Sequence, residues 1–196
     1  MGQVDADLVE PGVLPRIALA NPKLRLEVHA TDRFVDLIQE GSDIALRSHA
    51  APLADSVLTQ RRLAEAPVVA VAAPAYLAAH GHPHEPSDLA GHPGLLSGPQ
   101  ATVWRFRHED GREVPAEPGP VMVPDESTML IEAAAAGLGI ACLPADIVAP
   151  AVAEGRLVRL LPSWHAGTIT ATILMPPRRS QLPGVRAVVE FLCRPG

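Results

Sequence analysis

The sequence predicts an α/β fold from three observations. Strand-like and helix-like periodicities alternate along the chain, glycines recur where the helical patterns stop, and the composition suits helices lying on a sheet. The first clear unit opens at Leu24. Leu24, Leu26, Val28 and Ala30 alternate with polar residues, the period of a strand with one buried face. Thr31 or Asp32 then caps a helix whose Phe34, Val35, Leu37 and Ile38 are apolar, and Gly41 stops it. The run SDIALR at 42–47 reads as the next strand. Strand, helix and strand in this order make a crossover, which requires a parallel sheet. With 47% hydrophobic, 19% charged and only 3% aromatic residues, the 196-residue chain can build a large core from small aliphatic side chains, which pack helices closely onto a sheet.

The later elements follow the same grammar. Strands are expected at 57–63 and 68–72. Pro74 suits the first turn of a helix reaching about Ala79, with Gly81 as its stop. Residues 86–91 read as a loop or a single helical turn, and 95–97 as a short strand ending in Gly98-Pro99. Strands at 103–107 and 112–116 flank Asp110-Gly111, a strong hairpin signal. Residues 145–154 look helical, interrupted at Pro150 and stopped by Gly155. Strands at 157–161 and 168–174 precede a last helix over 185–192, with Val185, Val188, Val189 and Leu192 on one face. Ahead of Leu24, MGQVDADLVEPGVLPRI holds a stub of strand at 4–6 and then a helical pattern.

The most informative stretch is 125–144, DESTMLIEAAAAGLGIACLP. Asp125 is a natural N-cap, whose carboxylate accepts from amides of the first helical turn. Met129, Leu130, Ala133 and Ala134 share one helical face, and Gly137 can close the helix in a left-handed conformation. Residues 140–143 fit a short buried strand ended by Pro144. A helix N-terminus carries amides without intrahelical acceptors and a partial positive charge, so one that faces a crevice can hold a small polar molecule.

Several function classes are disfavoured. The net charge of −6 gives no basic face for nucleic acid, and the only adjacent basic pairs, Arg61-Arg62 and Arg178-Arg179, read as solvated strand ends. This chain alone is not expected to bind DNA. Two cysteines, Cys142 and Cys193, make no disulfide framework and suit a reduced, cytoplasmic protein. The N-terminus lacks the regions of a secretory signal, and no apolar run approaches a membrane span. No G-x-S-x-G elbow, P-loop or dinucleotide fingerprint is present, so an enzyme is not expected. His80, His82, His84 and His92 lack cysteine or paired carboxylate partners, so neither a metal nor any cofactor is expected. Trp104 and Phe106, two apart on an expected strand, read as core or cleft wall.

Five segments in order resemble the effector-binding domain of LysR-type transcriptional regulators. They are ATDRFVDLIQEGSDIALR (30–47), VVAVAAPAYLAAHGHPHEPSDLAGHPGLL (68–96), AAAAGLGIACLP (133–144), GRLVRLLPSW (155–164) and MPPRRSQLPGVRAVVEFL (175–192). The resemblance implies two Rossmann-like α/β subdomains joined by two crossover segments, a periplasmic-binding-protein-like type 2 fold. Subdomain I would comprise 1–72 plus 175–196, and subdomain II 73–174, with crossings near 70–74 and 174–177. It further implies reversible binding of a small-molecule effector between the subdomains, and a homodimer or higher homo-oligomer. DNA would be reached only through the family's N-terminal winged helix-turn-helix, which this chain lacks. A solute-binding protein of a transport system shares the fold and is the alternative.

The candidate effector-binding residues lie where expected strands end and helices begin, the usual ligand position in such sheets. Ala30 and Thr31 open the first helix. Arg47 ends a strand and can clamp a carboxylate with two parallel hydrogen bonds, or else pair with Asp43 or Asp55. Ser48 and His49 follow in the same loop and can add donors. Ser97 and Gly98 allow close approach to backbone amides. Asp125, Glu126 and Ser127 open the helix of 125–144 and serve either as caps or as effector contacts. Their negative charge opposes a carboxylate there and favours a neutral or hydroxylated group.

Overall fold

The computed structural model describes residues 13–29, 42–53, 57–124, 126–177 and 182–193. The expected strand stub at 4–6, the helix after Thr31, and the candidates Ala30, Thr31 and Asp125 lie outside these residues. In chain order the elements are α1 (Val13–Ala20), β1 (Ala45–His49), β2 (Thr59–Ala72), α2 (Pro74–His80), a 3-10 turn (Pro86–Gly91), β3 (Pro93–Leu95), β4 (Trp104–His108) and β5 (Glu113–Ala116). Then come β6 (Gly119–Met122), α3 (Ser127–Ala135), β7 (Ile140–Pro144), α4 (Ala145–Ala153), β8 (Val158–Arg159), β9 (Trp164–His165), β10 (Thr168–Met175) and α5 (Pro183–Leu192). The chain divides into two compact units, Met1–Glu65 with Thr170–Gly196, and Ala66–Ile169.

In the first unit β1 pairs antiparallel with β10, Leu46 opposite Ile173 and Arg47 opposite Thr172. Because side chains alternate across a strand, this register puts Leu46, Ile173 and Met175 on one face. They pack with Ile17 of α1 and with Val185, Val188 and Val189, the expected stripe of α5. Leu24 and Leu26 join the same core. The expected strand there is not found, since residues 24–29 carry no ladder among the described residues. Alternation identifies a buried edge of chain, but a strand also needs a neighbour to bond with, and the alternation cannot supply that.

The second unit is built on a mixed sheet. β6, β3 and β7 run parallel, β2 pairs antiparallel with β7, and the short β8 pairs with β2 on its other side. Alternation along β2 divides the core. Val69 and Val71 face one way, toward Leu130, Ala133 and Ala134 of α3 and Val148 and Ala151 of α4. Ala70 and Ala72 face the other, toward Tyr76 and Leu77 of α2 and toward Trp104, Phe106 and Trp164. A small antiparallel sheet, β5-β4-β9, supplies those aromatics. Trp104 and Phe106 are therefore core, alternating with the exposed Arg105 and Arg107.

Several expectations shift. The strands at 57–63 and 68–72 are one strand, β2, because Pro67 accepts extended geometry and costs a single ladder donor. Its first half is exposed and its second half buried. β6 is a strand to which the sequence assigns no element; its backbone is drawn into the sheet by β3. α4 is not interrupted at Pro150, because proline removes only its own amide and Glu154 still donates to the Pro150 carbonyl at 2.9 Å. The hairpin holds as read, with Gly111 at φ 92° and Arg107 opposite Glu113.

Candidate functional site

Each unit, taken by itself, carries some of the candidate residues. In the second unit the parallel strands β6, β3 and β7 share the direction in which they end. β3 leads into Leu96, Ser97 and Gly98, and β6 leads through Pro124 into Glu126 and α3. The Leu96 amide donates to the Met122 carbonyl at 3.0 Å, so the β3–β6 pairing persists to the residue before Ser97. Ser97–Gly98 and Glu126–Ser127 thus come from the carboxyl ends of adjacent strands, where α/β sheets bind ligands. A methyl group built on Gly98 would meet no atom within 4 Å, so the backbone here is open to approach.

The start of α3 departs from a simple cap. Glu126 holds the N-cap position in extended backbone, φ −116° and ψ 133°, and its side chain makes no capping bond. The Leu130 amide closes the first turn on the Glu126 carbonyl at 3.3 Å. Ser127 is half-buried and Glu126 exposed. The other end of α3 follows the sequence closely. Gly137 sits at φ 83°, with its amide on the Ala134 carbonyl at 3.0 Å and the Leu138 amide on the Ala133 carbonyl at 3.1 Å. This crossed pair of bonds ends the helix and turns the chain into β7. Glycine is required there because a side chain disfavours left-handed backbone.

In the first unit the strand does not end at Arg47 as expected: pairing with β10 carries β1 on through Ser48 and His49, and the register separates the three candidates. Arg47 and His49 share the face opposite Leu46, together with Thr170 and Thr172 of β10. Ser48 points to the other face and is exposed. His49 is fully engaged. Its Nδ1 lies 2.8 Å from the Ala51 carbonyl and its Nε2 lies 2.9 Å from Thr172 Oγ1. A carbonyl only accepts, so Nδ1 carries the proton, and Nε2 of the neutral ring accepts from the threonine hydroxyl. The expectation that His49 adds a free donor is therefore corrected, since its one ring N–H already serves Ala51. Thr172 was missed by sequence reasoning. The signal was present in TITATIL, where Thr168, Thr170 and Thr172 alternate with apolar residues and mark a polar face.

Other polar groups have structural partners. The Tyr76 hydroxyl meets His92 Nδ1 at 2.8 Å, and the ring of His80 stacks on Tyr76 at 4.4 Å. Burial pushes the Tyr76 phenol up from its usual value. Asp88 accepts from the amides of His84 and Glu85, which hold its carboxyl below the usual range. Among the described residues no three His, Cys, Asp or Glu side chains gather as a metal site. Arg62 is ion-paired with Glu65 on the surface at 2.9 Å. No helix among the described residues is long and apolar enough to cross a membrane.

Comparison with known proteins places this arrangement. The LysR substrate binding domain family matches residues 6–194. The chain is 30% identical over 199 residues to the HTH-type transcriptional regulator YhjC of Escherichia coli, covering 94% of this chain and 64% of that protein. It is 33% identical over 176 residues to the HTH-type transcriptional regulator PtxR of Pseudomonas aeruginosa, covering 87% and 54%. The chain thus spans less than two thirds of the length of these relatives. Among solved structures, the regulatory domain of CrgA, a LysR-type transcriptional regulator from Neisseria meningitidis, superimposes with a TM-score of 0.84 at 26% identity, covering 97% of this chain and 95% of that one. The full-length virulence activator AphB of Vibrio cholerae shares the fold, with a TM-score of 0.84 at 21% identity over 97% of this chain and 66% of its own. With its α/β units and its match over nearly the full length, this chain belongs to the LysR substrate binding domain family.

Proposed function

We propose that the chain is the effector-sensing part of a LysR-type transcriptional regulator. It binds a small molecule reversibly, and the bound form shifts a conformational population that a DNA-binding domain outside this chain reads out. The family match over residues 6–194 carries this reading. The matched relatives are named as transcriptional regulators, which does not favour the transport alternative. The same reading makes the protein a cytoplasmic homo-oligomer without catalytic activity, meeting DNA only through that further domain.

The proposed effector contacts are Arg47 in the first unit, and Ser97, Gly98, Glu126 and Ser127 in the second. Ser48, Ala30, Thr31 and Asp125 remain candidates from their places where the sequence predicts strands to end and helices to begin. Arg47 supplies a planar, permanently charged donor set suited to a carboxylate. Glu126 beside the α3 terminus suits a hydroxyl or amine. The ligand classes expected are therefore small acids and small molecules that carry a hydrogen-bond donor. A thermal-shift screen of small carboxylates, aromatics and sugars tests this. At a hundred times its dissociation constant a ligand stabilises by about 2.7 kcal/mol, or roughly 5–11 °C for a chain of this size. Arg47→Ala should abolish that rise for a carboxylate hit. An unchanged rise removes Arg47 from the site.

A further inference from the structure

We propose that Thr172 is a positioning residue for the first unit's share of the effector site, acting through the ring of His49. Thr172 is 4% exposed and is the one buried polar or charged residue among those described. Valine would fill the same space on β10 without needing a partner, so the hydroxyl has to be explained by what it bonds. It bonds His49 Nε2 at 2.9 Å, across strands, while Nδ1 of the same ring bonds the Ala51 carbonyl at 2.8 Å. The register makes this a diagonal contact. Thr172 stands opposite Arg47, and His49 stands opposite Thr170. The ring therefore leans back along the strand past Arg47, on the face that both share.

The two bonds act at opposite ends of the imidazole, so together they fix its rotamer and its tautomer. The Nδ1–H points at the loop after β1, and the Nε2 lone pair points into the sheet at a hydroxyl that has little room to leave. His49 then serves the site as a fixed wall beside Arg47, with neither ring nitrogen offered outward. Three points of the backbone, at Ala51, His49 and Thr172, are tied by one chain of hydrogen bonds. The bearing on effector binding rests on the function proposed above. The geometry of the ring does not.

Diethyl pyrocarbonate provides the test, because it acylates the unprotonated nitrogen of a neutral imidazole. In the native protein that nitrogen is Nε2, and its lone pair is occupied. Site-resolved mass spectrometry should show His49 modified about two- to tenfold more slowly than the exposed His82, the ratio expected from one net hydrogen bond. Thr172→Val should raise the rate at His49 toward that of His82 and leave His82 unchanged, and Thr172→Ser should restore protection. Ring nitrogen resonances provide a second readout, with Nδ1 protonated throughout, since the Ala51 carbonyl still holds that proton, and with the Nε2 resonance shifted by its hydrogen bond in the native protein and in Thr172→Ser but not in Thr172→Val. Equal modification of His49 and His82 in the native protein overturns the proposal. So does a Thr172→Val variant with native protection and native ring resonances. Either result leaves the effector assignment of Arg47 standing, and loss of that assignment leaves the ring result standing.

Discussion

Gly139→Ala is the substitution whose consequence the structure specifies most sharply. Gly139 is buried between the turn at Gly137 and the start of β7. A methyl group built on it would lie 2.4 Å from the Pro93 carbonyl oxygen, 3.0 Å from its carbonyl carbon and 3.1 Å from its Cβ. The obstacle is backbone, not the end of a flexible side chain. Pro93 opens β3, whose next residues pair with Ile140 and Ala141 on one side and with β6 on the other. Relief therefore requires β3 to move against two ladders. Overpacking of this kind costs about 1–3 kcal/mol, and a backbone obstacle belongs at the upper end. The lower entropy of the unfolded alanine chain offsets about 0.4–1 kcal/mol. The net loss is roughly 2 kcal/mol, or roughly 4–8 °C in melting temperature at this chain length. Two other glycines calibrate the measurement. Gly137 has open surroundings, with Tyr76 Cβ at 3.9 Å, but φ 83°, so alanine there should cost about 1 kcal/mol. Gly91 has neither a near atom nor a positive φ, so alanine should change stability by less than about 0.5 kcal/mol. Thermal and urea unfolding of the three variants should rank Gly139 worst, Gly137 next and Gly91 least. A Gly139→Ala protein as stable as the Gly91→Ala protein would refute the reasoning.

Two further outcomes follow from titratable groups. The amide of Arg112 and then its guanidinium hold the Asp110 carboxyl down to about 2, below its usual 3.8. A depressed carboxyl stabilises above its unfolded value and loses that contribution as pH falls toward about 2, so Asp110→Asn should flatten the stability profile between about pH 4 and 2; an unchanged profile counts against the hairpin bonds. Burial pushes the Cys142 thiol well above its usual value at the margin of the aromatic cluster. Cys142 is half-buried, so iodoacetamide at neutral pH should label it much more slowly in the native protein than in the unfolded chain, and equal rates would contradict its packing.

Much of the fold was legible because periodicity and punctuation agree with packing. The GLG turn, the Asp110-Gly111 hairpin and the apolar stripe of α5 are local features, and local rules describe them. What was not legible depended on a partner elsewhere in the chain. The composition of Gly119–Met122 argues against a strand, and only β3 beside it makes one. Leu24 and Leu26 alternate as a strand would, yet the described residues give them no ladder. At the site, the types of Arg47, Ser48 and His49 were readable, but their faces depend on the register with β10. That register puts His49 beside Thr172 and turns Ser48 away. A free donor in the sequence is thereby a bonded ring in the structure.

The central claim, that a small molecule is read by residues on β1 and by those that follow β3 and β6, is tested most directly by backbone amide shifts. A compound that raises the melting temperature in the screen should be titrated into the labelled chain. The account predicts saturable shifts centred on 47–49, 97–98 and 126–127. Shifts confined to the β5-β4-β9 sheet, with those residues unmoved, would contradict it.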